Sequence, residues 1–216
     1  VQILDPSTGT GTFLSEIILL IHETMIRKWN GKSKKEIQTL WNSYVTEHLL
    51  TRLYGYELMM APYSVAHLKI GLILNQTGYQ FIDNQRLNIY LTNTLEPASI
   101  ISKWIPDFLA EETKAVNAIK QDLRFTVIIG NPPYSPSMSK PKWIMKLLDD
   151  WKVGLKETKS DLNREEWKFL RFAQYHCIKT GAGIVGFVIN RDFLDGITKR
   201  RMREHLGETF PLRIVV

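Results

Sequence analysis

Cysteine is nearly absent from this sequence of 216 residues, in which Cys177 stands alone. A single cysteine excludes an internal disulfide and is typical of proteins from reducing compartments. Long apolar runs are absent as well. The most apolar stretch, Ile17 to Ile21, is too short to cross a bilayer and is bounded by Glu16 and His22. The composition therefore indicates neither a disulfide-rich secreted domain nor a membrane-spanning segment.

Histidine clusters and an acidic charge balance are also lacking. The five histidines are scattered without the spacing of metal ligands, so no metal site is expected. The 28 Lys and Arg residues exceed the 22 Asp and Glu residues, which gives a net charge of +6. The surplus is concentrated in Arg27–Lys35, Lys140–Lys146 and Lys199–Arg203. Such stretches favour a polyanionic partner because neutralised phosphates release counterions, although many basic proteins bind no nucleic acid.

Apolar stretches of strand length alternate with helical periodicity along the chain. The expected strands are Ile3–Leu4, Leu53–Glu57, Leu87–Leu91, Val127–Ile129 and Ile184–Ile189. Helical patterns separate them, as in proteins whose parallel sheet is covered by helices. The sequence therefore predicts an α/β fold with a mostly parallel central sheet and helices on both faces. One sizeable core is expected at this length, and a second domain is not required.

The stretch from Val127 to Tyr134 combines a predicted strand with a stiff turn. Gly130 ends the strand, and two prolines then deny the chain both a helix and a ladder hydrogen bond. Ligands of open parallel sheets bind at the carboxyl ends of strands. The Asn131 amide, the Pro132 carbonyl and the Tyr134 ring place two hydrogen-bond acceptors beside a stacking face. Such a turn suits a planar substrate with an amino group, and the alternative is an ordinary Pro-Pro turn.

This Asn-Pro-Pro-Tyr turn resembles the catalytic motif of amino-methyltransferases that use S-adenosylmethionine (SAM). The resemblance implies methylation of adenine N6, with cytosine N4, a guanine amine and a glutamine amide as alternatives. It implies catalytic roles for Asn131, Pro132, Pro133 and Tyr134. Methylation of cytosine C5 is disfavoured, because Cys177 lies in a predicted helix and not in the Pro-Cys turn that this chemistry requires.

A glycine-bearing loop, Asp5 to Phe13, follows the first predicted strand and precedes a helix. Glycines let backbone N–H groups approach a ligand closely, and the helix start favours negative charge. The dinucleotide fingerprint does not fit, since Leu14 occupies the position of its third glycine. The loop instead resembles the SAM-binding loop of the amino-methyltransferases. The resemblance implies that SAM is held by Asp5, Pro6, Thr8, Gly9, Gly11, Thr12 and Phe13.

Two further strand ends resemble cofactor-binding positions of the same enzymes. Glu57 ends the second predicted strand, where a carboxylate can accept the ribose hydroxyls of a nucleoside. The alternative for Glu57 is a solvated glutamate. The segment after the third strand carries Asn93, Thr94 and Leu95. Many relatives have an aspartate that contacts the SAM adenine where this chain has Asn93, and an asparagine still offers a carbonyl oxygen.

The order of the motifs, with the SAM loop first, resembles the gamma class of adenine-N6 DNA methyltransferases. Tyr56–Tyr63, Thr92–Glu96 and Gly183–Asn190 resemble the core of single-chain restriction-modification enzymes of type I and type IIG. The resemblance implies a Rossmann-like SAM-dependent methyltransferase fold, with double-stranded DNA and SAM as partners and no membrane. It also implies further domains in the same polypeptide, for target recognition and with a nuclease or helicase as additional candidates, in the bacterial or archaeal cytoplasm.

The chain begins and ends inside apparent strands, so we expect a piece of a longer polypeptide in which residues 1–216 form one catalytic domain. Two other functions stay open. One keeps SAM but methylates a protein glutamine or a ribosomal RNA base, and the other is a non-catalytic module that binds DNA or SAM. The polar loop from Ser135 to Lys142 has two lysines and three hydroxyls that suit a phosphate backbone or an ordinary surface loop.

Overall fold

A computed structural model of the chain describes residues 1–82, 85–97, 107–136, 140–155 and 159–216. Residues 137–139 of the predicted polar loop lie outside the described residues. The chain divides into two compact units, Val1–Asn93 and Thr94–Val216. All described strand pairs are parallel and helices flank the strands, which confirms the predicted α/β class.

The first unit contains a parallel sheet in the order β3-β2-β1. Its strands are β1 (Ile3–Asp5), β2 (Leu53–Glu57) and β3 (Asn88–Leu91). Its helices are α1 (Thr12–Lys28), α2 (Lys34–Tyr44) and α3 (Met60–Gln76), and a π-helical turn at Val45–Leu49 follows α2. The register pairs Asp5 with Gly55, and Glu57 with Leu91. The polar ends of the three strands are therefore neighbours.

The core of the first unit is formed by helix faces packed on the sheet. Leu14 and Ile18 of α1 and Ala66 and Ile70 of α3 are buried in one cluster with β-strand side chains. Helix α2 starts at the predicted cap Ser33, whose hydroxyl accepts from the Glu36 amide while the Glu36 carboxylate accepts from the Ser33 amide. This capping box satisfies two backbone donors that the helix itself leaves unpaired.

The second unit contains two parallel strands and five helices among the residues that the structure describes. They are α4 (Asp107–Asp122), β4 (Val127–Gly130), α5 (Lys142–Lys152), α6 (Glu165–Thr180), β5 (Ile184–Phe187), α7 (Asp192–Asp195) and α8 (Arg200–Thr209). The apolar run at β5 is typical of a strand buried on both faces, but Ile184 and Gly186 are exposed. Val185 and Phe187 pack on the other face against the cluster formed by α5, α6 and α8.

Helix α6 is buried on nearly every side, although its sequence predicts a single apolar stripe. Two buried cationic side chains inside it have partners: Lys168 donates to Glu165 at 2.7 Å, and Arg171 donates to Asp150 at 2.6 Å and to Gln174 at 2.9 Å. Paired charges can be buried where lone ones cannot. The ion pairs therefore allow a charged helix to occupy the centre of this unit.

In the described ranges, no helix has the length and apolarity needed to cross a membrane. No three His, Cys, Asp or Glu side chains in that part of the chain lie together as a potential metal site.

Gly55 of β2 provides a test of how tightly the first unit is packed. A Cβ at this position would lie 2.5 Å from Thr8 Oγ1 and 2.9 Å from Leu14 Cδ1. Overpacking of this kind typically costs about 1–3 kcal/mol, so we expect Gly55→Ala to unfold at a lower urea concentration. Gly71 of α3 is the matched control, because a Cβ there meets nothing within 4 Å. Gly71→Ala should raise stability by roughly 0.5–1 kcal/mol, and equal midpoints for the two variants would contradict the packing described.

Candidate functional site

Hydrogen bonds tie the loop after β1 to strands β1 and β2. The Thr8 hydroxyl donates to the Asp5 carbonyl oxygen at 3.1 Å, and the Thr8 amide donates to the Tyr56 carbonyl oxygen at 2.9 Å. Gly9 and Gly11 have φ angles of +55° and +81°, in the left-handed region that glycine adopts without strain. Gly11 also precedes the first residue of α1, so the loop ends at a helix N-terminus.

Glu57, at the end of β2, holds this loop in place. Its Oε2 accepts from the Gly9 amide at 2.8 Å, and its Oε1 accepts from the amides of Leu58 at 2.9 Å and Met59 at 2.8 Å. The carboxylate therefore joins the glycine loop to the start of α3. A carboxylate has about four acceptor sites, so one remains on Oε2 for a ligand. Glu57 is thus a structural clamp as well as a candidate ribose contact, and the sequence alone did not reveal the clamp.

Asp5 is a fully buried carboxylate at the start of the same loop. Its Oδ1 accepts from the Ser7 amide at 3.0 Å, whereas its Oδ2 has no hydrogen-bond partner among the described residues. Burial raises the pKa of Asp5 to about 7; the Ser7 amide opposes this shift, and the charge of Glu57 adds to it. A buried acceptor without a partner is costly. Asp5 is therefore suited to receive a donor or a cation from a ligand.

The other residues predicted to bind the cofactor lie in the loop after β1, in the first turn of α1 and after β3. Pro6 belongs to the loop, and Thr12 and Phe13 belong to the first turn of α1. The Thr92 amide donates to the Glu57 carbonyl oxygen at 2.7 Å, which brings the segment before Asn93 to the end of β2. Thr94 and Leu95 are buried and belong to the second unit.

The Asn-Pro-Pro-Tyr turn follows directly after β4. Asn131 and Pro133 are exposed, the Pro132 ring is buried, and Tyr134 is 46% exposed. The Tyr134 hydroxyl lies 2.6 Å from Asn131 Oδ1 and 2.7 Å from the Val188 carbonyl oxygen. The turn thus presents an amide and an aromatic ring to solvent, and its ring is anchored at the hydroxyl end.

Helix α6 supports this turn from its N-terminus, a contact that sequence reasoning missed. The Glu165 amide donates to the Ser135 carbonyl oxygen at 3.2 Å. The next residue, Glu166, is fully buried and accepts from Arg164 Nε at 2.6 Å. Partial burial raises the pKa of Tyr134, and the charge of Glu166 adds to this shift. Tyr134 therefore remains a neutral phenol at physiological pH.

Residues 51–216 match the family described as Eco57I restriction-modification methylase. The chain belongs to this family. The matched segment of this restriction-modification methylase contains Glu57, Asn93 and the turn from Asn131 to Tyr134. The glycine loop precedes the match and contacts it through the hydrogen bond between Gly9 and Glu57.

Relatives and solved structures agree with the family. Over 135 residues, or 62% of this chain, the sequence is 28% identical to the type II methyltransferase M.BstVI of Geobacillus stearothermophilus. The structure resembles that of the DrdV–DNA complex, with a TM-score of 0.70, 27% identity and 97% of this chain covered. It also resembles the type ISP restriction-modification enzyme LlaGI, solved with a DNA substrate mimic, with a TM-score of 0.76, 22% identity and 97% coverage. These likenesses confirm the predicted Rossmann-like α/β fold.

This restriction-modification methylase chain spans only part of the length of these relatives. It covers 19% of M.BstVI, 19% of the DrdV chain and 17% of the LlaGI chain.

Asp5 gives a prediction of how stability depends on pH. A carboxyl group whose pKa rises from 3.8 to about 7 on folding binds more protons in the folded state. The free energy of unfolding should then fall as the pH rises from about 4 to 7, and stay low above that range. Asn at this position keeps the acceptor for the Ser7 amide without the buried charge. We expect Asp5→Asn to be the more stable protein at pH 8, by on the order of 3 kcal/mol.

The measurement is urea unfolding of both proteins at pH 5, 6, 7 and 8. The gap between Asp5→Asn and the wild type should widen with pH in this series. A gap that stays constant from pH 5 to 8 would show that Asp5 is not the titrating group.

Proposed function

We propose that the protein transfers a methyl group from SAM to the exocyclic N6 amine of a flipped-out adenine in double-stranded DNA, as the modification part of a restriction-modification enzyme. The observation that supports this most is the exposed Asn131 amide beside the half-exposed Tyr134 ring, at the carboxyl end of β4 in a restriction-modification methylase. Residues 1–216 act in this proposal as one catalytic domain of a longer cytoplasmic polypeptide that also carries target recognition.

The residues of the first unit fit SAM, which supplies an activated methyl group when bound. Asp5 Oδ2, buried and without a partner among the described residues, suits the ammonium group of the methionine part. The start of α1 offers amide donors and a positive dipole end to the methionine carboxylate. The remaining acceptor site on Glu57 suits one ribose hydroxyl, and Asn93 suits the adenine amine. Asp5, Pro6, Thr8, Gly9 and Gly11 form the loop in this proposal, and Thr12 and Phe13 follow it in the first turn of α1. The resemblance adds Thr94 and Leu95 of the second unit as further candidates for SAM binding.

The turn from Asn131 to Tyr134, called the acceptor turn from here on, prepares the amine for methylation in this proposal. An exocyclic amine is a weak nucleophile because its lone pair is delocalised into the ring. In this proposal the Asn131 amide oxygen and the Pro132 carbonyl accept its two hydrogens, and Pro133 restrains the direction of that carbonyl. These fixed dipoles favour the pyramidal nitrogen of the transition state and need no covalent intermediate. The Tyr134 ring stacks on the base, which offsets part of the few kcal/mol required to flip it.

Charge and family support DNA as the polymer. The net charge of +6 favours a polyanion, and both structural neighbours described above were solved with DNA or a DNA mimic. The acceptor turn by itself is also compatible with a glutamine amide or a ribosomal RNA base, since each presents an NH2 group to two acceptors.

The test is methyl transfer from labelled SAM by the full-length protein, offered duplex DNA in one reaction and protein or RNA extract in another. We expect N6-methyladenine in the DNA, identified by mass. Asn131→Ala should abolish transfer, by at least about a hundredfold, while SAM binding stays near wild type because Asn131 lies outside the cofactor loop. Methylglutamine or a methylated RNA base would preserve the chemistry and overturn the substrate, and wild-type turnover by Asn131→Ala would exclude the mechanism.

Glu57→Gln tests the cofactor half separately. In the wild type, three backbone amides donate to the two oxygens of the Glu57 carboxylate. The glutamine side chain has an NH2 group in place of one of these oxygens, so a donor then faces a backbone donor. We expect the Kd for SAM to rise about tenfold to a hundredfold, measured by calorimetry. The control is Glu23→Gln, which removes only an exposed pair with Arg27 on α1. Equal SAM affinity of the two variants would remove Glu57 from the site.

A further inference from the structure

The Tyr134 hydroxyl has more hydrogen-bond acceptors beside it than it has protons to donate. Two oxygen atoms, Asn131 Oδ1 and the Val188 carbonyl, lie 2.6 Å and 2.7 Å from the phenol oxygen. A phenol has one hydrogen to donate, so it cannot form a full hydrogen bond with both oxygens. The Val188 carbonyl is a backbone acceptor and can never become a donor. The Asn131 amide can, because its NH2 group and its oxygen exchange places when χ2 turns by about 180°.

One arrangement satisfies all three groups. The Tyr134 hydroxyl donates its proton to the Val188 carbonyl, and the phenol oxygen accepts a hydrogen from Asn131 Nδ2. The Asn131 oxygen then points away from the phenol, and it remains open because Asn131 is exposed. The phenol then donates its one proton to one acceptor, whereas the opposite amide orientation leaves two acceptors competing for that proton.

We propose that the Tyr134 hydroxyl is a positioning group, which is anchored by the Val188 carbonyl and turns the Asn131 amide so that its oxygen faces the substrate amine. The inference rests on the proposed function, because the oxygen is needed to accept a hydrogen of that amine. It assigns Tyr134 two separable tasks, with stacking by the ring and orientation by the hydroxyl. It also gives the backbone after β5 a part in the site, since the anchor lies 54 residues away in sequence.

The Val188 anchor is itself held by the strand pair. The Val188 amide donates to the Gly130 carbonyl oxygen at 3.1 Å, directly after the paired residues Gly130 and Phe187. The anchor and the residue before Asn131 are therefore joined by the ladder of β4 and β5. Hydrogen bonds thus link Gly130 to Val188, Val188 to Tyr134 and Tyr134 to Asn131. This chain of contacts allows the amide to be oriented before the substrate binds.

Tyr134→Phe in the full-length protein keeps the ring and removes the hydroxyl. We expect the single-turnover rate of methyl transfer to fall about tenfold, as for loss of one neutral hydrogen bond. The Kd for SAM and the KM for DNA should not change, because the stacking ring is still present. The matched control is Tyr175→Phe on α6, whose ring packs edge to face on Trp143 at 5.3 Å; its rate should equal that of the wild type. A wild-type rate for Tyr134→Phe would overturn the inference.

A double variant separates orientation from other effects of the hydroxyl. In Asn131→Asp the side chain has oxygen at both ends and needs no orientation, although it is slower than the wild type. We expect Tyr134→Phe to reduce the rate of this background by less than about twofold. An equal tenfold loss in both backgrounds would show that the hydroxyl does not act through the Asn131 amide.

A readout without catalysis completes the test. With asparagine labelled by nitrogen-15, the Asn131 side-chain signals, assigned by their absence in Asn131→Ala, should show one protected amide proton. This proton should lose its protection in Tyr134→Phe. Unchanged signals would overturn the inference even if the wild type methylates no DNA. Conversely, the Asn131 amide proton could lose its protection in Tyr134→Phe as expected while the wild type methylates no DNA. This result would refute the proposed substrate and support the inferred orientation of the amide.

Discussion

The first unit depends on Glu57, whose carboxylate and backbone carbonyl together join three chain segments to the end of β2. Glu57 accepts from the amides of Gly9, Leu58 and Met59, and its own carbonyl oxygen receives the Thr92 amide. The loop after β1, the start of α3 and the segment after β3 are thereby fixed relative to the end of β2. Hydrogen bonds from backbone amides to a charged acceptor are stronger than neutral ones. Hydrogen bonds within the chain therefore join these loops where the sheet ends.

The family match and the geometry of this clamp support each other. The matched segment begins at residue 51, so it includes Glu57 and the acceptor turn but not the glycine loop. The loop is linked to the matched part by the 2.8 Å contact between Gly9 and Glu57. The proposal that this loop binds the cofactor therefore rests on the resemblance of its sequence, and the hydrogen bond places the loop beside a residue of the matched segment.

Local patterns predicted much of the fold, because they encode interactions between near neighbours in sequence. The bounds of β2 and α6 agree with the predicted ones, and Ser33 caps α2 as its spacing to Glu36 indicates. The parts that the sequence did not predict involve distant partners. Arg171 is buried in α6 because Asp150, 21 residues earlier, accepts from it. The Tyr134 hydroxyl meets a carbonyl 54 residues away, and no periodicity reports such a pairing.

The two consecutive prolines of the acceptor turn have a consequence for the entropy of binding. Each ring fixes one φ angle, so the turn samples few backbone conformations even in the unfolded chain. Ordering of an ordinary loop costs about 1–2 kcal/mol per residue in backbone entropy. At Pro132 and Pro133 most of this loss is already built into the covalent structure. In the proposed function, a base that stacks on Tyr134 would therefore meet a turn that is stiff before contact, and little of the stacking free energy would be consumed in ordering Pro132 and Pro133.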